Sequence, residues 1–140
     1  MADTFDTEKR SAIMRAVRSA DTRPELVVRS LLHRAGYRFR LHRKNLPGRP
    51  DLVFPARRKV IFIHGCFWHS HRDPSCRRAR VPKSRTDYWS AKLEANEARD
   101  KAALERLQAL GWEALVIWEC ELRDTAATLA CAAAFLDSAR

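Results

Sequence analysis

The spacing of apolar residues changes several times along the chain, and each change marks an element. Over residues 7–19, Ile13, Met14 and Val17 cluster on one side while Arg15 and Arg18 lie off it, which predicts a first helix. Thr22-Arg23-Pro24-Glu25 opens a second helix: Thr22 suits an N-cap, Pro24 is tolerated in the first turn, and Glu25 stands at the capping-box position. Leu26, Val27, Leu31, Leu32 and Ala35 follow at helical spacing, and Gly36 is a suitable residue just past the end. The period then drops to two. Tyr37, Phe39 and Leu41 alternate with Arg38 and Arg40, a strand with one wet face.

Asn45-Leu46-Pro47-Gly48-Arg49-Pro50 reads as a turn. Asp51 to Phe54 and Lys59 to His64 read as two further strands, joined by a short basic turn around residues 55–58. Residues 65–85 have no clear period and are rich in Arg, Pro and Ser, a length that needs support from something other than a core. A helix is expected from about Thr86 to Leu110, its inner face supplied by Trp89, Leu93, Ala103, Leu107 and Leu110, with Gly111 ending it. A strand over 112–118 and a helix over 124–138 complete the order ααβββαβα. That order implies an α/β sandwich with a mixed sheet, hairpins first and the 86–110 helix as a crossover. No repeat or linker divides residues 1–140, so a single domain is expected.

Charge changes the picture from fold to partner. The net charge is +10, and it is unevenly placed. Residues 8–59 carry 15 Lys/Arg against 4 Asp/Glu, residues 72–85 carry 6 against 1, and residues 86–140 carry 6 against 10. A basic first half suits a polyanion whose phosphates supply salt-sensitive binding energy. No apolar stretch approaches a membrane span, and Met1-Ala2-Asp3-Thr4 shows no apolar signal core, so a cytoplasmic protein is expected. In that compartment four cysteines suggest metal ligands or free thiols before disulfides.

The densest chemistry is His64-Gly65-Cys66-Phe67-Trp68-His69-Ser70-His71, directly after the apolar run Val60 to Ile63. Imidazole and thiolate bind zinc, free imidazole moves protons near neutral pH, and paired exposed rings stack on or wedge between bases. Cys66, His71 and Cys76 are separated by four residues each, and Cys120 follows the last strand. Together they make a candidate tetrahedral zinc site that would hold the long loop, with His69 as an alternative to His71. Cys131, on an Ala-rich helix, reads as a small buried residue, and His33 and His42 are given no role. If the second and third strands pair, Asp51 meets the end of the strand at 62–64. A carboxylate there can hold Mg²⁺, or merely cap the turn, and His64 or His69 can exchange a proton.

Pro50-Asp51, an apolar strand, and then Phe62-Ile63-His64 resemble the PD…(D/E)xK core of restriction endonucleases, with the usual acid and lysine absent. The departure, continued by Gly65-Cys66-Phe67-Trp68-His69, closely resembles the very short patch repair (Vsr) mismatch endonucleases. Met14-Arg15-Ala16, Asp21-Thr22, Glu25, Leu46 to Asp51, Val81-Pro82, Tyr88-Trp89, Asn96, Arg99-Asp100, Leu110 to Trp112 and Trp118 to Cys120 extend the likeness over nearly the whole chain.

The resemblance implies a restriction-endonuclease-like sandwich with a zinc-stabilised loop. Asp51 and the backbone carbonyl of Ile63, where threonine is familiar, would hold catalytic Mg²⁺. His69 would be the general base, His64 would support the bound water and phosphate, and Glu25 would support the histidines. Cys66, His71, Cys76 and Cys120 would hold structural Zn²⁺, although the gap from His71 to Cys76 is longer than the familiar one. Phe67, Trp68 and Trp89 would wedge into DNA from the major groove and Met14 from the minor groove, with Arg49 and Asn96 as further DNA contacts. The implied reaction is a nick 5′ to the T of a T:G mismatch left by deamination of 5-methylcytosine. The implied protein is a monomer near the bacterial nucleoid, with mismatch-repair proteins as possible partners. Two other readings fit the residues: a non-catalytic zinc DNA-binding module, and a related nuclease with another lesion as target.

Overall fold

The computed structural model describes residues 22–67, 69, 71, 76 and 86–138. The expected helix over 7–19, with Met14, lies outside them, as do Trp68 and most of the 65–85 segment. The described elements are α1 (Arg23–Arg34), β1 (Arg40–Leu41), β2 (Leu52–Phe54), β3 (Lys59–His64), α2 (Thr86–Ala109), β4 (Glu113–Trp118) and α3 (Thr125–Asp137). Short 3-10 turns cover Pro55–Arg57 and Glu119–Arg123.

The strands form one mixed sheet in the order β1-β2-β3-β4. The first three are antiparallel, with Leu52 opposite Ile61, and β3 and β4 run parallel, with Ile61 opposite Leu115. A parallel pair needs a long crossover, and α2 supplies it. Side-chain alternation then decides the two layers. Leu52, Phe54, Ile61, Ile63 and Ile117 pack against Val28 and Leu32 of α1 and Ala132 and Leu136 of α3. Val53, Val60 and Phe62 face the other way, onto Leu107 of α2, with Ala114 and Val116 beside them. The sheet is therefore sandwiched by helices, as the element order implied.

Three sequence expectations change. The strand read over 37–41 is hydrogen-bonded only at Arg40–Leu41, and His42 follows with φ of 47°, a left-handed conformation that ends the extended run. Tyr37 and Phe39 still pack on the core. Leu110 is 55% exposed, because α2 stops at Ala109, and Trp112 and Leu104 pack where it was expected. Cys131 is exposed on α3 rather than buried.

One buried cation follows from the alternation. Lys59 shares the face of Ile61 and Ile63, so its side chain runs under α3 and is 1% exposed. Its ammonium donates to the carbonyls of Phe135 and Ser138, each at 2.6 Å, and to Ser138 Oγ at 2.9 Å. These acceptors lie in the last turn and cap of α3, where carbonyls lack a helical backbone donor and the macrodipole also favours a positive charge; the Phe135 carbonyl accepts from Ser138 Oγ as well.

Candidate active site and metal centre

The period of two that builds the core also aims the chemistry. His64 continues the row of Val60 and Phe62 towards α2, and Trp118 continues the row of Ala114 and Val116 on the paired strand. Beyond the strand end, the His69 ring stacks on the His64 ring, with centroids 3.9 Å apart and planes 7° from parallel. His69 Nδ1 lies 2.6 Å from Oδ2 of Asp100, which α2 supplies. The β2–β3 hairpin brings Asp51 to the same place, where its Oδ2 accepts the Ile63 backbone N–H at 2.7 Å.

These groups border a cleft of about 1050 Å³ whose wall also includes Phe67, Arg49 and Asn96. Asn96 accepts a hydrogen bond from Arg99 one turn away on α2. Gly48 lets the 45–50 turn lie against the cleft wall. It has φ of +76°, and a Cβ there would stand 2.7 Å from the Ala103 Cβ.

Burial sets the protonation of the two central groups. It pushes the Asp51 carboxyl up to about 6, aided by the Glu25 carboxylate and opposed by the Ile63 N–H and the imidazoles of His42 and His69. It pushes His64 down to about 4, aided by His69 and opposed by Asp100. His64 is therefore neutral at pH 7. Its buried Nδ1 has no hydrogen-bond partner among the described residues. A polar atom of this kind, beside a buried carboxylate and an open cleft, fits water or ligand from the cleft. Asp51, the Glu25 carboxylate near it and the strand-end backbone are oxygen donors of the type that Mg²⁺ takes.

Glu25 is buried in the first turn of α1, where Thr22 holds the N-cap position without a side-chain hydrogen bond. Its Oε2 pairs with Arg29 at 2.9 Å and with His42 Nε2 at 3.1 Å. Glu25, His42 and Asp51 bring their donor atoms within 4.8 Å of one another. His42 had no assigned role. Its sequence context is basic and surface-like, and only the left-handed turn at residue 42 swings its ring to Glu25. Asp100 was also missed as a partner of His69. The available signal was its place on the α2 face one turn beyond Asn96, and sequence gives no means of pairing that face with the 65–71 segment.

Cys66, His71, Cys76 and Cys120 converge, each offering a donor atom within 4.8 Å of the others. Donors around a tetrahedral zinc at bond lengths of about 2.0–2.3 Å stand roughly 3.5–4 Å apart, so the set fits such an ion. Cys120 Sγ is 3.4 Å from His71 Nδ1, and the Cys120 N–H points at Cys66 Sγ, also at 3.4 Å. Burial pushes the Cys66 thiol up to about 12. A dication coordinated there would reverse that preference and hold the thiolate. His69 sits with His64 and Asp100 instead.

Beside the cleft, Phe67 meets the Trp89 ring edge-on at 5.4 Å, and Tyr88 meets the same ring at 5.0 Å. Tyr88 is 47% exposed, so this aromatic cluster reaches the surface. No described helix is long and apolar enough to cross a membrane.

The family model for DNA mismatch endonuclease Vsr matches residues 2–77. The chain is similar to the type II nicking enzyme V.XorIIP of Xanthomonas oryzae pv. oryzae, with 58% identity over 91% of this chain and 91% of that protein. It is similar to the DNA mismatch endonuclease Vsr of Escherichia coli, with 47% identity over 88% of this chain and 77% of that one. It is also 42% identical to the type II nicking enzyme V.NmeAIP of Neisseria meningitidis, over 90% of this chain and 88% of that one. The chain therefore belongs to the Vsr family of DNA endonucleases.

Proposed function

We propose that this DNA endonuclease nicks one strand of duplex DNA 5′ to the T of a T:G mismatch, starting very short patch repair where 5-methylcytosine has deaminated. The observation that carries the reading is the convergence of Asp51, His64, His69 and Asp100 in one cleft. Binding alone requires none of these groups, which favours the enzyme over a zinc DNA-binding module. The names of its relatives, a mismatch endonuclease and nicking enzymes, support the substrate and the single-strand cut.

Asp51 and the Ile63 carbonyl would hold Mg²⁺, which when bound would polarise the scissile phosphate and acidify water. The residues do the rest. The Asp100 carboxylate accepts the Nδ1–H of His69, which leaves Nε2 free to take a proton from the attacking water. His64, neutral at pH 7, packs flat on His69 and limits its rotation, and it can hydrogen-bond water or phosphate. Glu25, pinned by Arg29 and His42, keeps a second carboxylate near Asp51.

Cys66, His71, Cys76 and Cys120 would hold Zn²⁺ and fix the segment that carries Phe67, Trp68 and His69. Phe67 and Trp89, with Trp68 and with Met14 from the other groove, would open the base stack at the weakly paired step. Arg49 and Asn96 would contact the DNA at the cleft wall. The basic residues that dominate the first 85 positions would bind the backbone without regard to sequence.

The test is a nicking assay on duplexes that differ in one base pair, with and without Mg²⁺. The reading predicts single-strand cleavage of the T:G duplex alone, and only with the cation. Equal cleavage of matched DNA, or cleavage of another lesion in preference, would move the target. Mismatch binding without cleavage under any divalent cation would favour the binding module.

A further inference from the structure

Trp118 touches both halves of the site. Its ring stacks on His71, in the Cys/His cluster, with centroids 4.2 Å apart and planes 10° from parallel. The same ring meets His64 edge-on at 5.2 Å and 76°. His64 in turn lies flat on His69, and His69 is hydrogen-bonded to Asp100. Five side chains thus form a continuous series from the metal-binding cluster to α2. The backbone reinforces it: Trp118 is the register partner of His64 at the end of the parallel pair, and Cys120 follows two residues later.

We propose that Trp118 is a positioning residue that transmits the geometry of the Cys/His centre to His64 and His69. The inference rests on the reading of those histidines as active-site groups. Flat and edge-on ring contacts have preferred orientations, so a ring clamped on both sides fixes its neighbours better than an aliphatic chain of equal bulk. His71 bound to a cation cannot rotate. Trp118 stacked on it is held in turn, and its edge limits the tilt of His64 and, through the stack, of His69. Removing the ring leaves the histidines a wider range of orientations, and reactions that depend on placement are sensitive to small errors of that kind. The energetic link is local packing and needs no change of fold.

The experiment compares Trp118→Met, which keeps bulk without a ring, and Trp118→Phe, which keeps a smaller ring, with the wild-type chain loaded with zinc. Four quantities are read: bound zinc, melting temperature, kcat and KM for nicking a T:G duplex, and the imidazole nitrogen resonances of His64 and His69. We expect Trp118→Met to keep one equivalent of zinc and its cooperative melt. Its kcat should fall roughly ten- to hundredfold with KM within about twofold. Its His64 and His69 resonances should shift or broaden, as they should in wild-type protein on zinc removal. Trp118→Phe should recover most of the loss.

A zinc-loaded, folded Trp118→Met with kcat within threefold of wild type and unmoved imidazole resonances overturns the proposal. So does a loss confined to KM, a loss that the phenylalanine leaves uncorrected, or failure of both variants to fold, which would make Trp118 a core residue only. His69→Ala separates the two levels. If that variant nicks normally, the active-site reading itself fails, whereas an inactive His69→Ala beside a normal Trp118→Met removes only the role of Trp118.

Discussion

Asp100 Oδ2 lies 2.6 Å from Nδ1 of His69, so a residue of the crossover helix sets which nitrogen of that imidazole faces the cleft. Asp100→Asn keeps the size of the group and removes the charge, and its amide can present a donor that favours the opposite tautomer. The nicking rate under single turnover is expected to fall by about 10²-fold or more with DNA affinity unchanged. A loss below threefold would make the pair a structural contact only.

The pH dependence of stability follows from two opposed groups. Asp51 is raised from 3.8 to about 6, so the folded state binds more protons than the unfolded state between those values and stability falls as pH rises through them. His64 is lowered from 6.5 to about 4, so the unfolded state binds more protons and stability rises with pH over nearly the same window. Each contribution is on the order of 3 kcal/mol, and they nearly cancel. In Mg²⁺-free buffer, Asp51→Asn should therefore melt higher than wild type at pH 7 and gain stability as pH rises from about 4 to 6.5. Denaturation curves across that range check both signs, and equal pH profiles for the two proteins would contradict the burial of Asp51.

The hairpin that carries Asp51 and the crossover to β4 were legible in the sequence, because the short continuous apolar runs at 52–54, 60–63 and 114–118 read as strands buried on both faces, and the long helix between the last two leaves few other ways to cover them. Asp51 and the 62–64 strand end were expected to meet, and they do. The four candidate metal donors were readable from residue type, and the fold brings in Cys120 by the parallel register. Three partners were not readable. His42 depends on one left-handed residue, Asp100 on how a helix face docks on a loop, and Trp118 on ring contacts between segments about 50 positions apart. Short-range patterns report faces and ends of elements, whereas pairings between distant side chains appear only when the layers pack.

Lys59→Met tests the buried cation. Methionine fills similar space, but the carbonyls of Phe135 and Ser138 lose the ammonium donor, and the Phe135 carbonyl keeps only Ser138 Oγ. The expected destabilisation is about 1–3 kcal/mol by urea midpoint. Activity per folded molecule should hold, because Lys59 faces away from the cleft. A stable variant with lost activity would contradict this separation.

Metal analysis should find one zinc per chain, and Cys76→Ser or Cys120→Ser should lose it together with thermal stability, as expected when ligand binding and folding are linked. Cys131→Ser should keep the metal, since that thiol is exposed on α3. Zinc-free folded protein would contradict the four-donor site.

The central claim concerns a carboxylate that organises a Mg²⁺-dependent cut, and strand cleavage by Asp51→Ala tests it most directly. Wild type and variant are mixed with a labelled T:G duplex in saturating Mg²⁺, and both binding and nicking are followed. The account predicts near wild-type mismatch affinity with nicking reduced below detection, because phosphate contacts survive while the cation loses its carboxylate. Nicking by Asp51→Ala at close to the wild-type rate would contradict it.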